Sequence, residues 1–301
     1  MILVIGHKNP DSDSICSALA ATELLKARGL KAKPIRQGEI NYETKYILKT
    51  AGVEEPELIT SIAGKKVWLV DYTDLSQAPD DINQAEILGI VDHHRLGDVT
   101  TVNPLEVWIW PVGCTCTILF YLFQMEEIKI TYQLAILMIS AILSDTVGFA
   151  SPTCTQKDRK AVQELSKIAE IEDLDAFIKM LMIAKTNIKG LSATQLVEKD
   201  LKMYLVHARN VLVAQVELAA LEQADSMIQA LGFDLEHRCK ENDLALAVLM
   251  LTDITTNRTC LIYRGEWAFK LDKFWKKGML VMENTLSRKK QVWPWIQAKL
   301  L

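Results

Sequence analysis

Three short apolar runs, each followed by polar residues, place the strongest constraint on how this chain can fold. Residues 2–5, 67–70 and 87–91 are continuous apolar stretches of strand length. A stretch with helical periodicity, 15–28, follows the first run, and Gly29 is a typical helix stop. Strands that alternate with helices are typical of βαβ units, so we predict an α/β fold with a parallel sheet flanked by helices.

The 301 residues are enough for two domains, and the pattern changes along the chain. From about 114 to 184 apolar residues recur at helical spacing, whereas turn-forming residues collect in 187–193. Strand-like and helical stretches follow, with a helix predicted over 218–231. We therefore predict a first domain over 1–186, a linker over 187–193 and a smaller mixed α/β domain over 194–301.

The overall charge and the cysteine content argue against several classes of protein. A net charge of −4 at pH 7 gives no general attraction to nucleic acid or to an anionic membrane surface. The six cysteines are scattered without a C-x-x-C pair, which argues against a disulfide framework and a zinc finger. No signal peptide is visible, and the most apolar window, 134–143, is about half as long as a bilayer span. We predict a cytoplasmic protein that binds neither nucleic acid nor membranes.

Acidic and histidine side chains gather where the predicted strands end. In open parallel sheets, ligands bind beyond the carboxyl ends of the strands. Because three strand ends supply such side chains, we expect them to converge on one crevice. The residues are His7, Asp11, Asp13, Asp71, Asp92, His93 and His94.

Asp145 adds a carboxylate from a different element, the end of the apolar helix around 134–143. A buried, unpaired carboxylate loses several kcal/mol of hydration, and a cation would compensate for this loss. Together with Asp11, Asp13 and Asp71 it supplies four negative charges, which two divalent ions would neutralise. Imidazoles combined with carboxylates suit manganese or a similar hexacoordinate ion better than a thiolate zinc site does. The sequence therefore predicts a two-metal centre.

These residues also have a purely structural explanation. Asp and Ser are favoured where a helix begins, so Asp11 could simply form a capping turn, and Asp71 alone is an ordinary residue for a strand end. The metal site is favoured because three of the five histidines lie at the strand ends beside the acids. The other two, His207 and His237, are predicted to be ordinary surface residues.

A basic cluster near the C-terminus, SRKKQ at 287–291, contrasts with the slightly acidic composition. A run of this kind is often only a solvated charged surface. However, a neutralised metal pair leaves no surplus positive charge for a highly anionic substrate, and arginine can grip two phosphate oxygens at once. Arg288 and Lys289 are therefore candidate phosphate ligands, with Lys202 as a further candidate.

Six motifs occur along the chain in a distinctive order. They are GHKNPDSDSI at 6–15, VDHH at 91–94, PVGCTCTIL at 111–119, ILSDT at 142–146, SPTCTQKD at 151–158 and SRKKQ at 287–291. With these motifs nearly the whole chain resembles the manganese-dependent, family II inorganic pyrophosphatases of the DHH phosphoesterase superfamily. The resemblance implies a DHH domain followed by a smaller DHHA2-type domain, with the active site in the cleft between them.

The resemblance also implies a role for each candidate residue. The first metal would be bound by His7 and Asp11, the second by Asp13, His93 and Asp145, and Asp71 would bridge the two. His94, Lys202, Arg288 and Lys289 would bind the substrate and assist catalysis. The implied reaction is hydrolysis of pyrophosphate to two phosphates by a hydroxide that bridges two Mn²⁺ ions. Co²⁺ would be able to replace Mn²⁺, Mg²⁺ would accompany the substrate, and the family often forms homodimers.

The chain departs from the family pattern after its second predicted apolar run. Where the family usually has Asp-His-Asn-Glu, this chain has Asp71-Tyr72-Thr73-Asp74, which keeps the metal ligand and changes its neighbours. The segment VAQVELAAL, 213–221, also differs from the usual continuation. No large insert separates the motifs of the first domain, so a regulatory nucleotide-binding insert is not expected.

Three other functions remain open at this stage. A short-chain polyphosphatase could use the same residues with an altered rim. A DHH phosphodiesterase for oligonucleotides or cyclic dinucleotides usually has a glycine-rich motif in its C-terminal domain, and the glycines after residue 189 are isolated here. A non-catalytic phosphate-binding relative should lose metal ligands first, and all six are present.

Overall fold

The computed structural model describes residues 1–271 and 279–300, which form two compact units. The first unit is Met1–Lys185, and the second begins at Thr186. Ile188, which lies in the segment predicted to be a linker, is buried in a core of the second unit. Both units contain a sheet flanked by helices, so the predicted α/β fold is confirmed.

The sheet of the first unit is parallel throughout and has six strands in the order β3-β2-β1-β4-β5-β6. The three predicted strands are present and lie next to each other as β1, β4 and β5. Their carboxyl ends therefore meet at one edge of the sheet. The strands are β1 Ile2–Ile5, β2 Ala32–Arg36, β3 Glu57–Leu58, β4 Lys66–Val70, β5 Glu86–Asp92 and β6 Glu106–Ile109.

Six α-helices accompany this sheet, and α4 contacts the other five. In α4 every residue from Leu134 to Ser144 is buried, as expected for a helix that is hydrophobic all round. The helix predicted over 15–28 is α1, which begins earlier than predicted. It ends before Gly29, whose backbone has the left-handed conformation (φ +81°). The helices are α1 Ser12–Ala27, α2 Tyr42–Ala51, α3 Thr115–Met125, α4 Tyr132–Asp145, α5 Gln156–Ile168 and α6 Leu174–Lys185.

The second unit contains a mixed five-stranded sheet in the order β11-β10-β9-β8-β7, in which only β8 and β9 run parallel. Every residue of β9 is buried, and apolar clusters cover the sheet, one formed with α7 and α8 and the other with α10. The strands are β7 Leu201–Val206, β8 Arg209–Leu218, β9 Leu244–Asp253, β10 Arg258–Arg264 and β11 Met279–Met282. The helices are α7 Ala193–Lys199, α8 Ile228–Glu241, α9 Ala268–Leu271 and α10 Trp293–Leu300.

The position predicted for the helix over 218–231 is wrong. Strand β8 continues to Leu218, which pairs with Asp253 of β9. A 3₁₀ segment at Leu221–Met227 follows, and α8 begins only at Ile228. The Gln223 side chain accepts hydrogen bonds from the backbone N–H groups of Ala219 (2.8 Å) and Ala220 (3.0 Å), which stabilises a turn where helical spacing alone predicted a helix.

Across residues 1–271 and 279–300, no helix combines the length and the apolar character needed to cross a membrane.

Candidate metal centre

The side chains predicted to bind metal meet at the carboxyl ends of three neighbouring strands. His7 follows β1, Asp71 follows β4 and His93 follows β5. They form two sets whose ligand atoms each lie within 4.8 Å of one another. One set is His7, Asp11 and Asp71, and the other is Asp13, His93 and Asp145.

Asp71 lies between the two sets and presents a different oxygen to each. Its Oδ2 lies 3.4 Å from Nε2 of His7, and its Oδ1 lies 3.4 Å from Nε2 of His93. Among the described residues Oδ2 is buried and accepts no hydrogen bond, which is costly unless a cation occupies the site. The donor set and this unsatisfied oxygen therefore fit a pair of divalent cations that share one carboxylate.

The backbone of Asp71 is held in an uncommon conformation. Its φ is +66°, which costs an L-amino acid of this kind roughly 1 kcal/mol or more. The Asp71 N–H donates to the carbonyl oxygen of Val91 at 3.0 Å, and Thr115 Oγ1 donates to Asp71 Oδ1 at 3.2 Å. The sheet and helix α3 thus fix both the backbone and the side chain of this residue.

Asp13 is completely buried at the N-terminus of α3. Its carboxylate accepts hydrogen bonds from the backbone N–H groups of Thr115 (2.7 Å) and Cys116 (3.2 Å) and from Ser17 Oγ (2.7 Å). A helix N-terminus is a favourable environment for an anion, because its N–H groups are unpaired and its dipole is positive. This contact links the PVGCTCTIL motif to Asp13, which lies about a hundred residues earlier in the chain.

His93 is oriented by a backbone carbonyl group. Its Nδ1 lies 3.1 Å from the carbonyl oxygen of Val112, so Nδ1 is the nitrogen that carries hydrogen and donates. Nε2 then faces the acids, at 3.8 Å from Asp13 Oδ2 and 3.9 Å from Asp145 Oδ2. A hydrogen bond of this kind is the usual way in which proteins fix the tautomer of a metal-binding histidine.

A second carboxylate, Asp158, holds the loop that carries Val112 and Thr115. Asp158 is fully buried and accepts from the Gly113 N–H at 3.0 and 3.1 Å and from Thr117 Oγ1 at 2.6 Å. It also accepts from Thr155, through N–H at 2.7 Å and Oγ1 at 2.7 Å, and so caps α5. Asp158 therefore connects the SPTCTQKD motif to the PVG loop beside the site.

His94 is not a member of either set, but one of its ring nitrogens forms a further group with ligand atoms of Asp71 and His93, all within 4.8 Å of one another. Its Nδ1 lies 2.9 Å from Oδ1 of buried Asp92, and half of its side chain is exposed. The hydrogen bond to Asp92 raises the pKa of His94 above its usual value. The imidazole is thus held by Nδ1, which leaves Nε2 free to contact a substrate.

The electrostatics of the site show how tightly the acids crowd together. Burial, followed by the charge of Asp13, raises the pKa of Asp71 to about 6, and burial beside the other acids raises that of Asp145 well above its usual range. Burial opposes protonation of His7, but Asp11 and Asp71 outweigh it and raise the pKa of His7 to about 10. Burial also opposes protonation of His93, but Asp71 and Asp13 outweigh it and raise the pKa of His93 to about 9. A site of this kind attracts positive charge.

The candidate phosphate ligands are found in the second unit. Arg288 donates from Nη1 to the Asp200 carbonyl oxygen (2.7 Å) and from Nη2 to Asp200 Oδ1 (2.8 Å), and 12% of its side chain is exposed. Nη1 also lies 3.5 Å from the carbonyl oxygen of Val213, the residue that pairs with Lys202 in the sheet. Lys202 and Lys289 are exposed. Arg288 is therefore held in place beside the strand that carries Lys202, and it retains further N–H donors.

Two of the three residues that depart from the family pattern, Tyr72 and Thr73, are buried. Tyr72 lies in the core cluster of the first unit, and its hydroxyl has no hydrogen-bond partner among the described residues. Thr73 donates to the Arg95 carbonyl oxygen (3.1 Å) and accepts from the Gly97 N–H (2.8 Å). These two changes thus affect the core packing of the first unit and the contacts of the loop after His94.

Two parts of the site were not identified from the sequence. Asp158 and the α3 N-terminus lie in motifs that served only to indicate a family, because neither has the histidine-and-acid composition of a ligand set. The available signal was the spacing T-x-x-D at 155–158, which is typical of a helix cap. The contact with Gly113 joins residues 45 positions apart, and no local pattern predicts it.

Family models and curated proteins cover both units. Residues 1–142 match the DHH family, N-terminal domain, and residues 179–299 match the DHHA2 domain. A manganese-dependent inorganic pyrophosphatase from Bacillus subtilis is 35% identical, and the match covers 97% of this chain and 96% of the relative. A protein of the same name from Methanothrix thermoacetophila is 37% identical over the same shares of the two chains. The chain belongs to the manganese-dependent inorganic pyrophosphatase family.

A solved structure agrees with this assignment. The crystal structure of a Methanococcus jannaschii protein, assigned provisionally to family II of the inorganic pyrophosphatases, has a TM-score of 0.65 and 33% sequence identity. The match covers 100% of this chain and 99% of that protein. The family resemblance predicted from six motifs is therefore confirmed.

Proposed function

We propose that this member of the manganese-dependent pyrophosphatase family hydrolyses inorganic pyrophosphate to two phosphates at a dinuclear manganese site. The observation that carries the proposal is the position of Asp71, whose two oxygens face two separate ligand sets at 3.4 Å from a histidine Nε2 in each. A shared carboxylate of this kind is the characteristic ligand of two-metal hydrolytic sites.

In this proposal each set holds one cation. His7 and Asp11 would hold the first ion, Asp13, His93 and Asp145 would hold the second, and Asp71 would be shared by both. When bound, the two ions supply an activated water near neutral pH and offset the negative charge of the substrate. Co²⁺ substitutes for Mn²⁺, and Mg²⁺ accompanies the substrate.

The residues of the chain itself orient the substrate and move protons. His94 is fixed by Asp92 through Nδ1, so Nε2 donates a hydrogen bond or a proton to the leaving phosphate. Arg288, held by Asp200, together with Lys202 and Lys289, binds the phosphoryl oxygens and stabilises the transition state. Residues 1–186 would hold the metals and supply His94, and 194–301 would supply the other three phosphate-binding residues.

Phosphate release from pyrophosphate by the purified, manganese-loaded protein tests the proposal. We expect turnover of pyrophosphate to exceed that of tripolyphosphate and of a dinucleotide. Preference for tripolyphosphate would indicate a polyphosphatase, and preference for the dinucleotide a phosphodiesterase. Manganese binding without turnover of any of them would indicate a phosphate-binding protein.

The variant Asp71→Asn tests the bridging carboxylate directly. An amide cannot give a negatively charged oxygen to each ion, so we expect loss of activity and of at least one bound manganese per chain. Asp80→Asn is the matched control, because Asp80 is an exposed acid of the same unit outside both ligand sets. Unchanged manganese content in Asp71→Asn would refute the bridging role.

We also propose that the protein is cytoplasmic and forms a homodimer. The six free cysteines fit a reducing compartment, and gel filtration with light scattering tests the dimer.

A further inference from the structure

Two buried thiols that the proposed reaction does not use adjoin one of the proposed metal ligands. Cys114 and Cys116 are free and completely buried. Their Sγ atoms and a carboxylate oxygen of Asp13 all lie within 4.8 Å of one another. Two sulfurs and one oxygen at this spacing form a set of ligands, distinct from the histidine-and-carboxylate sets.

The start of helix α3 fixes this arrangement. Cys114 precedes the helix and Cys116 is its second residue, so the backbone N–H groups that bond Asp13 at 2.7 and 3.2 Å belong to the same turn as the thiols. Thr115, between them, directs its hydroxyl to Asp71 instead. Ser17 Oγ lies 3.2 Å from Cys116 Sγ and donates to Asp13 at 2.7 Å, which joins the sulfur and the carboxylate from the α1 side.

We propose that Asp13, Cys114 and Cys116 form a second kind of metal site, which takes a thiophilic cation such as Cd²⁺ or Zn²⁺. Thiolates select soft cations, whereas carboxylate and imidazole ligands suit Mn²⁺. Binding would replace the two S–H bonds by two bonds from sulfur to the cation, with the protons passing to water, and the Asp13 carboxylate would supply an oxygen ligand.

The sharing of Asp13 makes the two kinds of site compete. This part of the inference rests on the proposed function, in which Asp13 binds the second manganese. A soft cation held by the thiols occupies the Asp13 carboxylate, so that manganese cannot bind there at the same time. Thiophilic cations therefore inhibit the enzyme by displacing one of its two ions.

The test is a titration of metal-free protein with CdCl₂, followed by the ultraviolet absorption of sulfur-to-cadmium charge transfer. We expect a saturable band for the unmodified protein. Cys114→Ser and Cys116→Ser should each lose roughly half of this absorption, because each removes one of two cadmium–sulfur bonds. Cys260→Ser is the matched control, since Cys260 is also free and buried but lies in the second unit, and it should leave the band unchanged.

Absence of a band in the unmodified protein, or an undiminished band in both serine variants, would overturn the proposal. A second measurement needs no variant. Adding CdCl₂ to the manganese-loaded protein should release one Mn²⁺ per chain as the band forms, measured by electron paramagnetic resonance of free Mn²⁺, and a full band with no manganese released would show that Asp13 is not shared. The cadmium band does not depend on turnover. Its absence is therefore distinguishable from a failure of the manganese-loaded protein to hydrolyse pyrophosphate.

Discussion

Replacement of Asp158 by alanine should separate the positioning of the metal site from the metal ligands themselves. Asp158 binds no metal in the proposed scheme, yet its carboxylate accepts hydrogen bonds from Gly113, Thr117 and Thr155. The loop that it holds supplies the carbonyl group of Val112, which orients His93. The same loop leads into the N–H groups that bind Asp13.

The expected loss of stability follows from the donors that alanine would leave unsatisfied. The hydroxyl groups of Thr117 and Thr155 can rotate to other acceptors, whereas the backbone N–H groups of Gly113 and Thr155 cannot. Each buried, unsatisfied donor costs about 1–3 kcal/mol, and the N–H of Thr155 is only partly buried. We therefore expect Asp158→Ala to lower the free energy of unfolding by about 2–4 kcal/mol.

The expected effect on metal binding follows from displacement of the loop. Residues that orient a ligand typically contribute 10–100-fold to metal affinity, so we expect a manganese affinity weaker by roughly that factor. Asp158→Asn keeps one acceptor oxygen of nearly the same shape and should retain most of both properties. Urea unfolding gives the stability, and electron paramagnetic resonance of free Mn²⁺ gives the affinity.

Asp173→Ala is the matched control for Asp158→Ala. Asp173 also accepts a hydrogen bond at a helix start, from the Ala176 N–H at 2.9 Å, but it is exposed and lies outside both ligand sets. We expect a small loss of stability and no change in manganese affinity. The reasoning would be refuted if Asp158→Ala lost stability as expected and bound manganese as tightly as the unmodified protein.

Four further predictions concern the site and its surroundings. Arg288→Ala should raise KM and lower kcat for pyrophosphate in steady-state kinetics, and near-normal values of both would exclude it from phosphate binding. Manganese uptake should release protons, because His7 (pKa about 10) and His93 (pKa about 9) are protonated at pH 7 without metal and must be neutral to bind it. Manganese affinity should therefore rise with pH. Calorimetry in two buffers of different ionisation enthalpy measures the proton release, and equal heats in both buffers would contradict the prediction. His94→Asn should lower kcat by roughly 10²–10⁴ while manganese affinity, measured by calorimetry, stays unchanged; a loss of bound metal would instead make His94 a ligand. Tyr72→Phe should leave stability unchanged or raise it by up to about 1 kcal/mol in urea unfolding, because the buried hydroxyl has no partner among the described residues; a clear loss would indicate an unseen one.

Much of the first unit could be predicted from its sequence because its strands are short, apolar and followed by acids. Alternation of β1, β4 and β5 with helices indicated a parallel sheet. Because ligands bind beyond the carboxyl ends of the strands in such sheets, the acids at those ends were predicted to lie together. The apolar stretch around 134–143 predicted a buried helix, which α4 confirms. In each case the local pattern and the tertiary structure favour the same conformation.

The features that sequence reasoning missed depend on contacts between distant residues. The hydrogen bonds from α3 to Asp13 span more than a hundred residues, so no window of sequence contains both partners. The turn after Leu218 depends on a single glutamine side chain that competes with helix propensity. Tyr72 is a polar-tipped residue in an apolar core, which its neighbours in sequence did not indicate.

All six proposed metal ligands lie before residue 146, whereas the three candidate phosphate ligands lie after residue 201. Apart from His94, cation chemistry and anion recognition are thus encoded by non-overlapping stretches of the gene. Substrate length preference could accordingly drift through substitutions in the later stretch while the ion-binding chemistry is inherited intact. Such modularity lets the later stretch change phosphate recognition without altering the residues proposed to bind metal.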